Sequence, residues 1–198
     1  MRVVKGEYVR AHVYVLVGDG GRDVRILTAV AERYNHGKVL RVPRTPTTAG
    51  TGLDSVIRAL AKLLDARVVI DKYLILIDRE HVKSLKDVKG KFTSYGFEVL
   101  SVEDLNEASW VLKVRRGAKV IKVYVAVLGL SKRVEENLAK LIKLTYGDDV
   151  EGSKESVNKW LKEHGMKNSE LVSKASRQQI EKALPTLTQT LKKLAKDP

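Results

Sequence analysis

The sequence predicts an α/β protein built on a parallel sheet with helices on its faces, and three observations carry that prediction. Apolar runs of strand length alternate with amphipathic stretches of helical period through the first half of the 198-residue chain. Two of those runs end in acidic segments, Asp19-Gly-Gly-Arg-Asp23 and Asp78-Arg-Glu80, the pattern of strand ends along one edge of an open sheet. The composition, 43% hydrophobic and 31% charged, is that of a globular chain able to bury a core.

Residues 13–17, Val-Tyr-Val-Leu-Val, form the first apolar run and read as a buried strand. Residues 23–34 follow with Ile26, Leu27, Val30 and Ala31 on one helical face; Asp23 begins that helix, as an N-cap or as a functional group. Residues 38–42 read as the next strand, and residues 43–52, rich in Pro, Thr and Gly, as a loop. A second helix carries Val56, Ile57, Leu60, Leu63 and Leu64 at helical spacing, with Asp54 or Ser55 able to cap its start. Residues 73–77 are the third strand, and residues 81–95 a helix closed by Gly96.

Residues 97–102 read as a fourth strand. Residues 110–115 and 119–127 read as a hairpin joined across Arg116-Gly-Ala. Lys113, Arg115, Lys119 and Lys122 alternate there with apolar residues, so one face or the tip is basic. Residues 131–146 are helical, with Ser131 and Glu135 as a loose capping box, and Gly147 marks the end. Beyond it come helices over 157–161, 171–184 and 187–194, with Pro185 as a break. The expected division is an α/β domain with a hairpin extension over 1–150 and a helical appendage over 151–198. That appendage packs on the sheet or on a second copy of the chain, so a homo-oligomer is one expected arrangement.

Charge narrows the partners. Lys and Arg number 37 against 24 Asp and Glu, a formal net charge of +13, which favours a polyanionic partner and above all nucleic acid. There is no Cys, which excludes disulfides and thiolate metal sites, and no apolar run reaches the length of a membrane span. The first residues lack the apolar stretch of a signal peptide, so a cytoplasmic protein is expected. Few Met and abundant Lys, Arg and Glu suit a thermophile. With 6% aromatic residues, an aromatic platform for stacked bases is not expected.

The acidic segments supply the chemistry. Parallel strands can deliver Asp19, Asp78 and Glu80 to one edge, and clustered carboxylates are costly to keep ionised unless a cation such as Mg²⁺ shares them. The bland alternative is a tight turn at Asp19-Gly-Gly and a cap at Asp78 for the helix that follows it. Arg41, Arg44, Arg115, Arg116 and Lys119 are the candidates for phosphate contacts, being at strand ends or the hairpin tip. Glu103 and Asp104, after the fourth strand, either join the acidic edge or remain solvated loop charges.

The stretch Val15-Leu-Val-Gly-Asp-Gly-Gly-Arg-Asp-Val-Arg-Ile-Leu resembles the first motif of the Toprim superfamily, a strand followed by Glu-Gly-x-x-Asp and a helix. Asp19 takes the Glu position, Gly20 the Gly and Asp23 the later Asp. Asp78-Arg-Glu80 is similar to the second motif, Asp-x-Asp, and Gly50-Thr-Gly-Leu-Asp-Ser-Val-Ile looks like the second helix start of small stand-alone archaeal Toprim-like proteins. The resemblance covers about residues 10 to 105 and departs from the usual residues at Asp19 and Glu80. It implies a Toprim-like core in which Asp78 and Glu80 hold Mg²⁺ (or Mn²⁺) and Asp19 is a ligand or proton carrier in phosphoryl transfer. The expected function is Mg²⁺-dependent phosphodiester cleavage of DNA or RNA. The alternative is a non-catalytic nucleic-acid-binding or adaptor protein whose acidic site has decayed.

Overall fold

The structure, a computed structural model, describes residues 1–6, 11–18, 20–34, 37–43, 52–66 and 70–198. In chain order the elements are β1 (Arg2–Lys5), β2 (Val13–Val17), α1 (Gly21–Ala31), β3 (Val39–Val42), α2 (Gly52–Asp65) and β4 (Lys72–Asp78). A 3₁₀ turn (Arg79–His81) leads to α3 (Leu85–Ser94), then β5 (Glu98–Asn106), β6 (Ser109–Arg116) and β7 (Lys119–Leu128). The chain continues with α4 (Val134–Tyr146), α5 (Lys154–Glu163), α6 (Asn168–Lys174), α7 (Arg177–Ala183) and α8 (Pro185–Lys196).

The fold is α/β, as expected from the alternating pattern. Among the described residues one sheet of seven strands has the order β1-β3-β2-β4-β7-β6-β5. β1, β3, β2, β4 and β7 run parallel, and β6 and β5 complete the sheet as an antiparallel meander. The hairpin is therefore no outlying arm. Its second strand, β7, pairs with β4 along seven residues from Lys72↔Lys122 to Asp78↔Leu128 and lies inside the sheet. Both faces are covered, which is why β4 and most of β7 are apolar without alternation.

The two faces bury separate cores. One gathers Ile26, Leu27 and Val30 of α1, Leu138 and Leu141 of α4, and Leu187, Leu191 and Leu194 of α8 against Leu74, Leu76, Tyr124 and Ala126. The other packs Val56, Ile57 and Leu60 of α2 and Val88 and Phe92 of α3 on Tyr73, Ile75, Leu112, Val123 and Val125. Of the helices over 151–198, α8 lies against β5, β6 and β7, while α5, α6 and α7 pack on α1, α4 and α8 and extend the same core. No helix among the described residues is long and apolar enough to cross a membrane.

Several elements differ from the sequence expectation for identifiable reasons. β1 has no apolar alternation strong enough to mark it; it forms by pairing with β3. The helix expected over 81–95 starts only at Leu85, because the Ser84 hydroxyl accepts the Asp87 N–H and the Asp87 carboxylate accepts the Lys83 N–H. The helix expected over 171–184 divides at Ala175, where Ser176 and Gln179 form a capping box that starts a new helix. Neither Asp54 nor Ser55 is an N-cap: α2 begins at Gly52, and Asp54 pairs with Arg58 and Lys91.

Candidate functional site

The carboxyl ends of β2 and β4 emerge side by side. Val17 is in register with Leu76, and the Gly18 N–H donates to the Leu76 carbonyl at 2.8 Å. Asp78, the last residue of β4, is 6% exposed, and its Oδ1 accepts the N–H of Val134, the first residue of α4, at 3.2 Å. Glu80 lies in the 3₁₀ turn. Its N–H donates to the Lys132 carbonyl at 2.9 Å, its Oε2 accepts from Arg133 Nε at 2.9 Å, and its Oε1 is 3.7 Å from His81 Nε2. Asp78 and Glu80 therefore meet at the start of α4, while Asp19 lies outside the described residues.

Helix starts accumulate along this edge. α1 begins directly after Gly20, and α2 is drawn in by the Gly52 N–H, which donates to the Gly18 carbonyl at 3.1 Å. With α4 they bring three helix N-termini, each a source of partial positive charge that favours carboxylates and phosphates. Asp23 is not the N-cap of α1: Gly20 holds that position, and Asp23 sits buried in the first turn. Asp78 likewise serves α4, across the sheet, rather than capping the turn that follows it.

The segment joining β7 to α4 holds these groups in place. Ser131 does not begin the helix and Glu135 completes no capping box; Glu135 pairs with Arg22 of α1, and Arg133 is the N-cap residue. Glu136 instead folds back, one oxygen accepting the N–H groups of Leu130, Ser131 and Lys132 and the other the Ser131 hydroxyl. Burial pushes the Glu136 carboxyl up, but these hydrogen bonds outweigh it and hold the group below its ordinary value of 4.5. A depressed carboxyl stabilises the fold above that value and loses the contribution as pH falls below it. Replacing Glu136 by Gln is therefore expected to destabilise the protein at neutral pH. The gap from wild type should close as urea midpoints are measured from pH 6 down to pH 3.

The basic residues nominated from the sequence lie elsewhere, among those described. β7 runs from Lys119 at the hairpin turn to Leu128 beside Asp78, roughly 30 Å at the usual rise per residue, so the hairpin tip and the acidic edge are at opposite ends of the sheet. Arg115 pairs with Glu98 across the strands. Arg116 donates to Asp65 and to the Tyr95 carbonyl and lies over the Phe97 ring, and Lys119 donates to the Leu64 carbonyl at 2.8 Å near the end of α2. Arg41 of β3 stacks over Tyr14 of the neighbouring β2, and Arg44 lies outside the described residues. Glu103 and Asp104 belong to β5 rather than to a loop, and Glu103 pairs with Lys193 of α8, so neither Glu103 nor its strand joins the acidic pair.

Sequence reasoning missed Lys132 and Arg133, the cations that do stand at the edge. Their signal was a basic pair just before a helix, which gains meaning only once β7 is known to lie parallel to β4. Among the described residues no group of three or more metal-ligating side chains gathers. Compared with protein-family models, with curated proteins and with solved structures, the chain matches none.

Proposed function

We propose that the edge formed by the ends of β2 and β4 carries out Mg²⁺-dependent phosphoryl transfer on nucleic acid, in the form of phosphodiester cleavage. The observation that carries this reading is the pair Asp78 and Glu80 at the carboxyl end of β4, beside the end of β2 and facing Arg133 and the start of α4. The Toprim-like motifs on the same two strands support it, as does the net charge of +13.

The residues present fit the metal. Asp78 and Glu80 are hard oxygen donors, and Mg²⁺ is commonly bound by one or two carboxylates with waters and substrate phosphate completing its shell (Mn²⁺ accepts similar ligands). When bound it would polarise the phosphodiester and acidify a bound water. Asp78 and Glu80 are the residues that would hold it. Asp19, at the position of the family's catalytic Glu, would be a further ligand or the proton carrier, with a side chain one methylene shorter. Arg133, now neutralising Glu80, is near enough to the edge to turn toward a phosphate oxygen once the metal takes over that charge.

A second reading has its own support. Asp78 and Glu80 are both already engaged, one by the Val134 N–H and the other by Arg133, as in a non-catalytic nucleic-acid-binding protein that keeps the acids for structure. The test is cleavage of end-labelled single- and double-stranded DNA and RNA by protein stripped with EDTA. Restoration of cleavage by Mg²⁺ or Mn²⁺ is the expected result. Strands that bind with equal affinity with or without metal, and stay uncut, would favour the second reading.

A further inference from the structure

At the end of the sheet away from the acidic pair, lysines crowd together on one face. Lys72, Lys122 and Lys113 stand directly opposite one another on β4, β7 and β6. They point to the α8 side, since Leu74, Leu76 and Tyr124, two or four residues on along β4 and β7, belong to the core that contains α8. Lys113, Lys122, Lys193 and Lys196 line a cleft of about 380 Å³ between the sheet and the end of α8. Lys38, just before β3, reaches across to the backbone oxygen of Asp197, which lines the same cleft.

Such a row is costly to folding unless anions offset it. Like charges opposite one another on neighbouring strands are destabilising, and ammonium groups are strongly hydrated. Two acidic side chains offset part of that cost. Glu103 pairs with Lys193 at 2.6 Å, and Asp197 accepts from Lys122 at 2.6 Å and lies 3.7 Å from Lys72. Among the described residues Lys113 and Lys196 have no acidic partner. Asp197 also accepts the Tyr124 hydroxyl, and Lys72 donates to the main-chain oxygen of Pro198. Burial pushes the Asp197 carboxyl up, but the hydrogen bonds from Lys122 and Tyr124 outweigh it and keep the group below the ordinary aspartate value. Asp197 is thus an anion held among lysines, where the phosphate oxygen of a ligand would stand.

We propose that this lysine row is a track for the sugar-phosphate backbone of a nucleic-acid strand, and that Asp197 is an internal anion which the strand displaces. The row is long rather than enclosed: from β3 to β6 it crosses four strand spacings, about 19 Å, which suits a line of phosphates better than a single one. Lysines bind phosphate as point charges without reading bases, and the cleft lining has no aromatic side chain for stacking. Lys72 and Asp78 are six residues apart on β4, about 20 Å, so the track grips a strand at a point separate from the acidic edge. Naming the polyanion as nucleic acid rests on the function proposed above; the cation row does not.

The experiment is fluorescence anisotropy of a labelled single-stranded oligonucleotide, titrated at several salt concentrations in EDTA so that metal chemistry plays no part. Asp197→Asn should tighten binding, roughly three- to tenfold, by removing a competing charge-assisted contact. The pair Lys113→Gln with Lys122→Gln should weaken binding by about tenfold and lower the salt slope by about 1.4. The pair Lys193→Gln with Lys196→Gln should do the same, and being on a helix surface it keeps the test open if the sheet pair unfolds by circular dichroism. Unchanged affinity and slope in the α8 pair, or no tightening in Asp197→Asn, would overturn the track. Competition by inorganic tripolyphosphate at equal charge concentration would also overturn it, assigning the row to a free phosphate compound. A strand bound through the track but never cut with any divalent ion removes the proposed chemistry and leaves the track. Metal-dependent cutting with normal binding by the lysine variants does the reverse.

Discussion

Asp78→Asn is expected to lower divalent-dependent cleavage by about 10²-fold or more, the usual loss when one preorganised electrostatic group is removed from a reacting centre. Asp78 has two roles that this substitution separates. Its Oδ1 accepts the Val134 N–H at the start of α4, and an Asn oxygen can do the same. Its charge is what a metal needs, and Asn has none. The Asn variant should therefore keep the wild-type urea midpoint and lose saturable Mg²⁺ binding, measured by calorimetry with an oligonucleotide present. Asp78→Ala should lose both, with a further stability cost of about 0.5–2 kcal/mol for the uncapped helix start. An Asn variant that cuts at the wild-type rate would remove Asp78 from the chemistry. One that unfolds would assign it to structure alone.

Gly129→Ala is expected to be the most damaging small substitution at this edge. Gly129 has φ 90°, a conformation that costs an L side chain on the order of 1–3 kcal/mol. A Cβ there would also lie 2.6 Å from the Arg133 nitrogen and 2.8 Å from its carbonyl carbon and oxygen, backbone that no rotamer change can move aside. The segment would have to shift, taking with it the Val134 N–H that faces Asp78 and the Arg133 guanidinium that faces Glu80. Gly147→Ala is the matched control, since Gly147 has φ 83° at the end of α4 but nothing within 4 Å of the added carbon. The difference in melting temperature between the two variants isolates the backbone overlap. For a chain of this size each kcal/mol corresponds to roughly 2–4 °C. Equal melting temperatures would mean that the β7–α4 segment yields without cost.

The helix and strand pattern was legible from Val13 to Tyr146 because each element carries its own apolar period. Val13–Val17 and residues 73–77 are continuous apolar runs, and Val56, Ile57 and Leu60 repeat at helical spacing. Where the reading failed, short-range side-chain bonds or long-range pairing intervened. Ser84 with Asp87 delays the start of α3, and Ser176 with Gln179 starts a helix that periodicity alone runs into the one before it. β1 is a strand only because β3 lies beside it. Arg116 stands at the hairpin tip, as expected; that it also ties the tip to Asp65 and the Tyr95 carbonyl is decided by the fold.

The sequence by itself determined the α/β class, the two strands that end in acids, and a surface rich in positive charge, since these follow from local period and composition. Only the tertiary structure decided that the hairpin enters the sheet, so that Leu128 ends beside Asp78 and Arg133 meets Glu80. It likewise decided that Lys72, Lys113 and Lys122 stand in one row. The reason is register. A strand's period tells which residues share its face, but the partner strand and its offset are set by how both faces are covered, and that information is spread over helices far away in the chain.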